Sequence, residues 1–324
     1  MKNEEKPLVT FALIAYNQEQ YIDEAIKGAL TQLYSPLEII LSDDCSEDAT
    51  FKIMQQKASA YTGKHEVILN RNEKNQGIGG HINSVMKLAC GELIVVAAGD
   101  DISLPERVSK IVDAWCASGK RAMSIHSSVH RIDQFGNAMG IRRCQYLSAL
   151  ENAASIAKIN PPVMGSSHAW HKGVFEKFPP LGLGVIHEDR AIPFRSSMLG
   201  EVMYLDEPLV KYREGTGITA STSNIFSHED SLYGKGLVML ERFKVDAVQK
   251  QNDALYMGRL DLVVVLDKAM KKIDLSLLFA RKRSLIEIVN YTLVEKISLM
   301  VFLKQFIKYK TPAYRSVFWL RSKL

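Results

Sequence analysis

Four apolar, β-branched runs in the first hundred residues each end on polar side chains, and each is followed by a stretch with helical periodicity. That alternation leaves few folds open. LVTFALIAY (8–16) gives way to residues 19–32, where Ile22, Ala25, Ile26 and Ala29 stand at helical spacing. LEIILSDD (37–44) precedes DATFKIMQQKASAY (48–61), with Asp48 placed to cap a helix. HEVILN (65–70) precedes a helical stretch over 79–89, and ELIVVAAGDD (92–101) precedes PERVSKIVDAWCA (105–117). Pro105 opens that last helix, where a missing N–H costs nothing. The order predicts a mostly parallel sheet flanked by helices on both faces. Ligands of such sheets bind at the carboxyl ends of the strands. Tyr16-Asn17, Asp43-Asp44 and Asp100-Asp101 gather there.

Further along, residues 122–133 read as a strand, followed by a turn around Gly136-Asn137, and 147–158 read as a helix. Residues 161–170 read as a loop or short strand, 187–199 as helical at their start, and 202–214 as a strand pair or one bent strand. From about 226 the periodicity is helical throughout. The expected organisation is an α/β domain over 1–224 and a helical C-terminal region over 225–324. The four cysteines are dispersed without a CxxC pair, so neither zinc nor a disulfide framework is suggested, and reduced thiols in the cytoplasm are the simplest reading. The opening MKNEEKPLVTF has no signal-peptide pattern, and no apolar run reaches the roughly 18 residues of a membrane span.

Charge is unevenly spread. The chain is +5, yet residues 296–324 hold seven Lys and Arg and no acid, so the rest is slightly acidic. On a helix, Leu299, Phe302, Leu303 and Phe306 share a face, with Lys304 and Lys308 nearly opposite. This pattern suits a helix lying on the inner face of the cell membrane. Packing of the same stripe on the catalytic domain, or on a second subunit of a homo-oligomer, stays open. A nucleic-acid partner is disfavoured by the acidic balance of the remainder.

Three acid clusters carry chemistry. SDDCSEDAT (42–50) suits either a capped turn or a carboxylate accepting hydrogen bonds from a base or ribose. AGDD (98–101) sets two carboxylates side by side, a repulsion that a hard divalent cation relieves. HED (187–189) offers a general base at a helix start, where acids also sit for dipole reasons. His168 and His171 have no third ligand nearby in sequence and are not read as a metal pair. Gly165, Ser166 and Ser167 suit either an acceptor-side floor or a simple bend.

Taken in order, these segments resemble the family 2 glycosyltransferases of the GT-A fold, an inverting group at work in polysaccharide, O-antigen and capsule biosynthesis. AYNQE (15–19) matches the Tyr-Asn-x-Glu motif, and Asp43, Asp44, Ser46, Asp48 and Thr50 match Asp-Asp-x-Ser-x-Asp-x-Thr in full. Asn75, Gly77 and Asn83 match the Asn-x-Gly segment and its helix. Gly99-Asp100-Asp101 with Leu104-Pro105, then Glu188-Asp189, then EPLVKYR (207–213) complete the order. The resemblance covers about the first 215 residues. It implies a Rossmann-like nucleotide-sugar half over about 1–103 and an acceptor half over about 104–224. It also implies that Ala15, Tyr16, Asn17, Glu19, Asp43, Asp44, Asn75, Gly77, Asn83, Gly99 and Asp100 line the nucleotide site. Asp100, with Asp101, would hold Mn2+ or Mg2+. Asp189 would be the base, with Glu188 beside it. The donor would be a nucleotide diphosphate sugar and the acceptor a glycan or lipid-linked glycan.

Two positions depart from the family pattern. Ala98 replaces the first acid of the Asp-x-Asp-Asp motif, and YREGTGIT lacks the His often found after the Tyr-Arg pair. Both leave room for a non-catalytic nucleotide-sugar or glycan-binding protein. A nucleotidyltransferase is disfavoured because AYNQEQYI stands where a glycine-rich basic loop would be needed.

Overall fold

The computed structural model describes residues 5–145, 147–158, 163–216, 230–281 and 284–310. The chain forms two compact units, Met1–Ala220 and Ser221–Leu324. The boundary expected at 224–225 falls in 217–229, outside the described residues.

In the first unit, β1 (Val9–Ala15), α1 (Ile22–Leu30), β2 (Leu37–Asp43), α2 (Thr50–Ala60), β3 (Glu66–Arg71), α3 (Gly77–Leu88) and β4 (Leu93–Ala98) alternate as the sequence predicts. They are followed by β5 (Ile102–Ser103), α4 (Arg107–Ala117), β6 (Ala122–Ile132), β7 (Ala138–Arg142), α5 (Ala153–Lys158), β8 (Ala169–His171), α6 (Gly173–Lys177), α7 (Glu188–Ser197) and β9 (Glu201–Arg213). The strands form one sheet in the order β3-β2-β1-β4-β8-β6-β9-β5, with β7 alongside β6. β3, β2, β1 and β4 run parallel, and β6 runs parallel to β9. The short β8 and β5 pair antiparallel to their neighbours.

Alternate residues of each parallel strand enter opposite cores, as a period of two requires. Phe11, Leu13, Ile39, Leu41 and Val95 pack under α1, α2 and α4, against Ile26, Met54 and Trp115. Ala12, Ile40, Ile94 and Val96 pack on the other side, against Ile82, Val85 and Ile192 of α3 and α7. Each fully buried Leu, Ile or Phe contributes about 1.5–3 kcal/mol. The register carries this order to the functional edge. Ile14 pairs with Ala98 and Ala15 with Asp43, so β1, β2 and β4 finish level and release their polar residues along one rim.

The irregular middle differs from expectation in detail. Residues 147–158 split into a 3-10 turn at Leu147–Leu150 and the short α5. Gly165–Ser167 form a 3-10 turn leading into β8. β9 is one long strand whose register against β6 shifts near Ser127 and Ser128, the bent alternative of the two readings.

The second unit contains α8 (Asp230–Tyr256), α9 (Leu260–Ala280), α10 (Leu285–Val294) and α11 (Leu299–Lys310). Ser284 and Glu287 start α10 with a reciprocal capping box. Leu275, Phe279 and Ile288 form its small core, joined by Tyr291, Phe302 and Phe306. The face expected to hold four apolar residues together is therefore divided. Phe302 and Phe306 turn inward onto Phe279, with ring centroids 5.9 and 6.2 Å away, whereas Leu299 and Leu303 are exposed. The reason is angular: the two phenylalanines lie four residues apart on one stripe, and the leucines stand one position round the helix. The basic residues beyond 310 lie outside the described residues. Among the described residues no helix is long and apolar enough to cross a membrane.

Candidate active site

The loops after β1 and β2 are laced together. Asn17, held at φ 52°, donates its N–H to Ser46 Oγ at 2.9 Å and accepts at its side chain from the Glu47 N–H at 2.9 Å. Gln18 N–H donates to Thr50 Oγ1 at 2.7 Å. Glu19 N–H donates to Asp48 Oδ2 at 3.0 Å, and the Glu19 carboxylate accepts from the Ala49 N–H at 2.9 Å. Every motif residue from 17 to 19 is thus engaged with the opposite motif. Tyr16 is left 36% exposed at the rim.

Asp43 and Asp44 are both buried. Asp43 accepts from the Ser46 N–H at 2.9 Å and hydroxyl, with Arg71 Nε at 3.4 Å. Asp44 accepts from Asn72 Nδ2 at 2.7 Å and from the N–H groups of Gln76 and Gly77, both at 3.0 Å, at the start of α3. A carboxylate there meets the positive end of the helix and its unpaired donors. Asn75 accepts from the Gly77 N–H at 2.9 Å, and Gly77 takes φ +69°, a value that favours glycine. Asn83 exchanges two hydrogen bonds with the main chain of Leu181, at 2.8 and 2.9 Å, and so ties α3 to the loop before α7.

At the end of β4, Gly99 allows close approach to β1, since a Cβ there would stand 2.7 Å from Ala15 Cβ. Asp100 and Asp101 follow, 6% and 3% exposed. Thr216 donates its hydroxyl to Asp100 Oδ2 at 2.8 Å. Arg213 donates Nε to the Asp100 carbonyl at 3.0 Å and its main-chain N–H to Asp101 Oδ1 at 2.7 Å. Burial raises the pKa of Asp100, and burial with the adjacent Asp100 charge pushes Asp101 up to about 8. Arg107, fully buried beneath, donates to Ser103 Oγ at 2.8 Å and to the Val96 carbonyl at 2.7 Å. Burial lowers it to about 9, against the opposing attraction of Asp101.

The Gly165–Ser167 turn links this acid pair to the third cluster. Ser166 lies beside Asp101, and a Cβ on Gly165 would run into the Glu188 carboxylate at the start of α7. Asp189 Cβ stands 3.8 Å from the same point. Three clusters separated by up to 146 positions therefore share one rim.

The donor set at Asp100 and Asp101 fits a hard divalent cation: two adjacent carboxylates, buried, whose charged forms are costly without a counter-charge. Among the described residues no cluster of three or more His, Cys, Asp or Glu could hold a metal by itself. Sequence reasoning noticed the motif containing Arg213 without seeing what the guanidinium does, and passed over Arg107 and Thr216. An Arg inside an apolar helix pattern, as in RVSKIV, was the one available signal for Arg107.

The family profile described as "Glycosyl transferase family 2" matches residues 10–176, more than half of the chain. The chain belongs to glycosyl transferase family 2. Glu188, Asp189 and Arg213 of this family 2 glycosyltransferase lie beyond the matched span. An uncharacterised glycosyltransferase of Nostoc sp. is 26% identical over 255 residues, 76% of this chain and 76% of that relative. The succinoglycan biosynthesis protein ExoO of Rhizobium meliloti is 34% identical over 113 residues, 35% of this chain and 31% of ExoO, about a third of its length. Among solved structures, mannosyltransferase PcManGT from Pyrobaculum calidifontis, in complex with GDP-Man and Mn2+, gives a TM-score of 0.55 at 15% identity. It covers 96% of this chain and 83% of PcManGT, a likeness of fold. This family 2 glycosyltransferase has the GT-A fold: a curled, mostly parallel sheet flanked by helices, followed by C-terminal helices.

Proposed function

We propose that this glycosyltransferase moves a sugar from a nucleotide diphosphate donor to an acceptor hydroxyl with inversion, in a domain spanning 1–224. The observation that carries the reading is the buried Asp100-Asp101 pair at the carboxyl end of β4, gripped by Arg213 and bridged through the 165–167 turn to Glu188 and Asp189. Tyr16, Asn17, Glu19 and Gly99 border the donor site. Asp43, Asp44, Asn75, Gly77 and Asn83 hold its loops in place.

A Mn2+ or Mg2+ ion held by Asp100 and Asp101 would supply positive charge to the diphosphate as it departs. Asp189 takes the acceptor hydroxyl proton as that oxygen bonds to the anomeric carbon. The bond from the anomeric carbon to the diphosphate oxygen breaks on the opposite face, and the nucleotide diphosphate leaves with the electron pair. One displacement inverts the centre and needs no nucleophilic carboxylate of the protein. Glu188, beside Gly165, is the alternative base.

The acceptor is proposed to be a glycan or lipid-linked glycan of a polysaccharide pathway, met at the cytoplasmic face of the membrane. ExoO, a relative named for succinoglycan biosynthesis, supports the polysaccharide part of that reading. Ala98 and the missing His after Arg213 favour a second reading, donor binding without transfer. Release of nucleotide from a panel of nucleotide sugars, with and without Mn2+, tests both. A catalyst hydrolyses at least one donor slowly in the absence of acceptor, and a binding protein releases no nucleotide from any of them.

A further inference from the structure

We infer that the outward face of the α10–α11 pair is an interfacial anchor for an anionic phospholipid bilayer, deepening the membrane-side reading above and relocating it. Attachment was expected from residues 296–324 alone, with Phe302 and Phe306 entering the lipid. Those two rings are instead spent on the core around Phe279. The apolar surface left outside begins earlier, on α10. Ile286, Leu293 and Val294 are 73%, 70% and 76% exposed, and Leu299 and Met300 of α11 are 70% and 67% exposed, with Leu303 beside them.

The opposite sides of the same helices are packed, with Ile288 fully buried and Tyr291, Phe302 and Phe306 against it. Each helix thus has two apolar sides, one used internally and one without a partner among the described residues. Large exposed apolar side chains concentrated on consecutive helices mark a docking surface rather than ordinary surface scatter.

Charge selects the occupant. Lys296, in the link between the helices, and Lys304, on α11, are exposed beside this face. From 296 onward the sequence contains seven Lys and Arg and no acid. The acids of α10 and its end are engaged elsewhere: Glu287 caps the helix with Ser284, and Glu295 pairs with Lys271 at 3.2 Å. An apolar face with a basic rim fits acyl chains below anionic headgroups. α10 has 10 residues and α11 has 12, both too short to span, so the pair lies in the interface plane.

The test is co-sedimentation of the full chain with vesicles of mixed phosphatidylglycerol and phosphatidylcholine, against phosphatidylcholine alone. The parent protein should pellet with the anionic vesicles at low salt and be released by high salt. Leu293→Glu with Met300→Glu should stay in the supernatant, and Lys296→Gln with Lys304→Gln should pellet less and lose part of its salt dependence. Mn2+-dependent donor hydrolysis, read on the same preparations, should be equal in all three, which reports folding independently of lipid. The inference is overturned if the parent protein stays in solution, or if the Leu293→Glu, Met300→Glu protein pellets as the parent does. It is also overturned if sedimentation velocity without lipid shows an oligomer that those substitutions dissolve, since the face then binds a second copy. Absence of hydrolysis from a parent protein that still pellets would sink the transferase reading and leave the anchor standing.

Discussion

The main-chain N–H of Arg213 donates to Oδ1 of Asp101 at 2.7 Å across 112 sequence positions, and the guanidinium of the same residue reaches the Asp100 carbonyl at 3.0 Å. The end of β9 thereby sets the position of the acid pair. The guanidinium also meets the carbonyls of Asp133 and Gln134, the Glu24 carboxylate at 2.6 Å and the Tyr21 ring. Glu24 is largely solvated, so its ion pair contributes little; the buried carbonyls left without a donor set the cost. Arg213→Met should lower stability by about 1–3 kcal/mol. It should also weaken Mn2+-dependent donor binding by more than the same stability loss produced in the second unit. Denaturant melts alongside donor titrations make the comparison.

Asp100→Asn should remove turnover while leaving the metal-free protein no less stable, because it deletes one of two buried like charges. Mn2+ with donor should raise the melting temperature of the parent protein and not of this variant. Full activity after chelator treatment would contradict the metal assignment.

Asp189→Asn keeps the shape of the side chain but cannot accept the acceptor's proton. Turnover should fall about 10²–10⁴-fold with donor affinity little altered. If Glu188→Gln gives that loss and Asp189→Asn does not, the base is Glu188.

Gly165→Ala tests the bridge between the clusters. The added Cβ would collide with the Glu188 carboxylate at the start of α7. Turnover should drop at least about tenfold, the scale of a misplaced catalytic group, with a melting temperature close to the parent. Unchanged turnover would mean that α7 accommodates the methyl without moving its acids.

Acid sensitivity should arise behind the site. His126 is buried and its pKa is lowered by that burial to about 4, and buried His168 is lowered as well. Between pH 6.5 and 4 these two imidazoles bind more protons in the unfolded chain than in the folded one, so their contribution to stability is present above pH 6.5 and declines as pH falls, whereas the raised Asp100 and Asp101 act in the opposite sense. His126 alone should account for about 1.5 kcal/mol between pH 6.5 and 5. His126→Gln should flatten that part of a pH–stability curve measured in urea. A slope identical to the parent would show that other groups carry it.

The parallel half of the sheet was legible because β1, β2 and β4 are buried on both faces and read as unbroken apolar runs, each closed by a helix signal. β5 and β8 were not, since strands of two and three residues are defined by partners far away in sequence and carry no period of their own. The same limit applies at the site. Asp100 and Asp101 announce themselves as neighbours, but the hold that Arg213 has on them is created only when β9 lies down beside β6. The inward turn of Phe302 and Phe306 depends on Phe279, more than 20 positions earlier, so a helical wheel of one segment left open whether their shared face meets lipid or protein.

The lacing of the first two loops has an evolutionary consequence. Asn17 answers to Ser46 and Glu47, Gln18 to Thr50, and Glu19 to Asp48 and Ala49. Each of these bonds joins a side chain of one loop to a main-chain N–H of the other, so a substitution deletes only the bonds of its own side chain and leaves the opposite loop's donors in place. Asn17, Glu19, Ser46, Asp48 and Thr50 are therefore each constrained by the backbone of the partner loop rather than by the identity of its side chains. Tyr16, 36% exposed and outside the lacing, can change without the loss of any of these bonds.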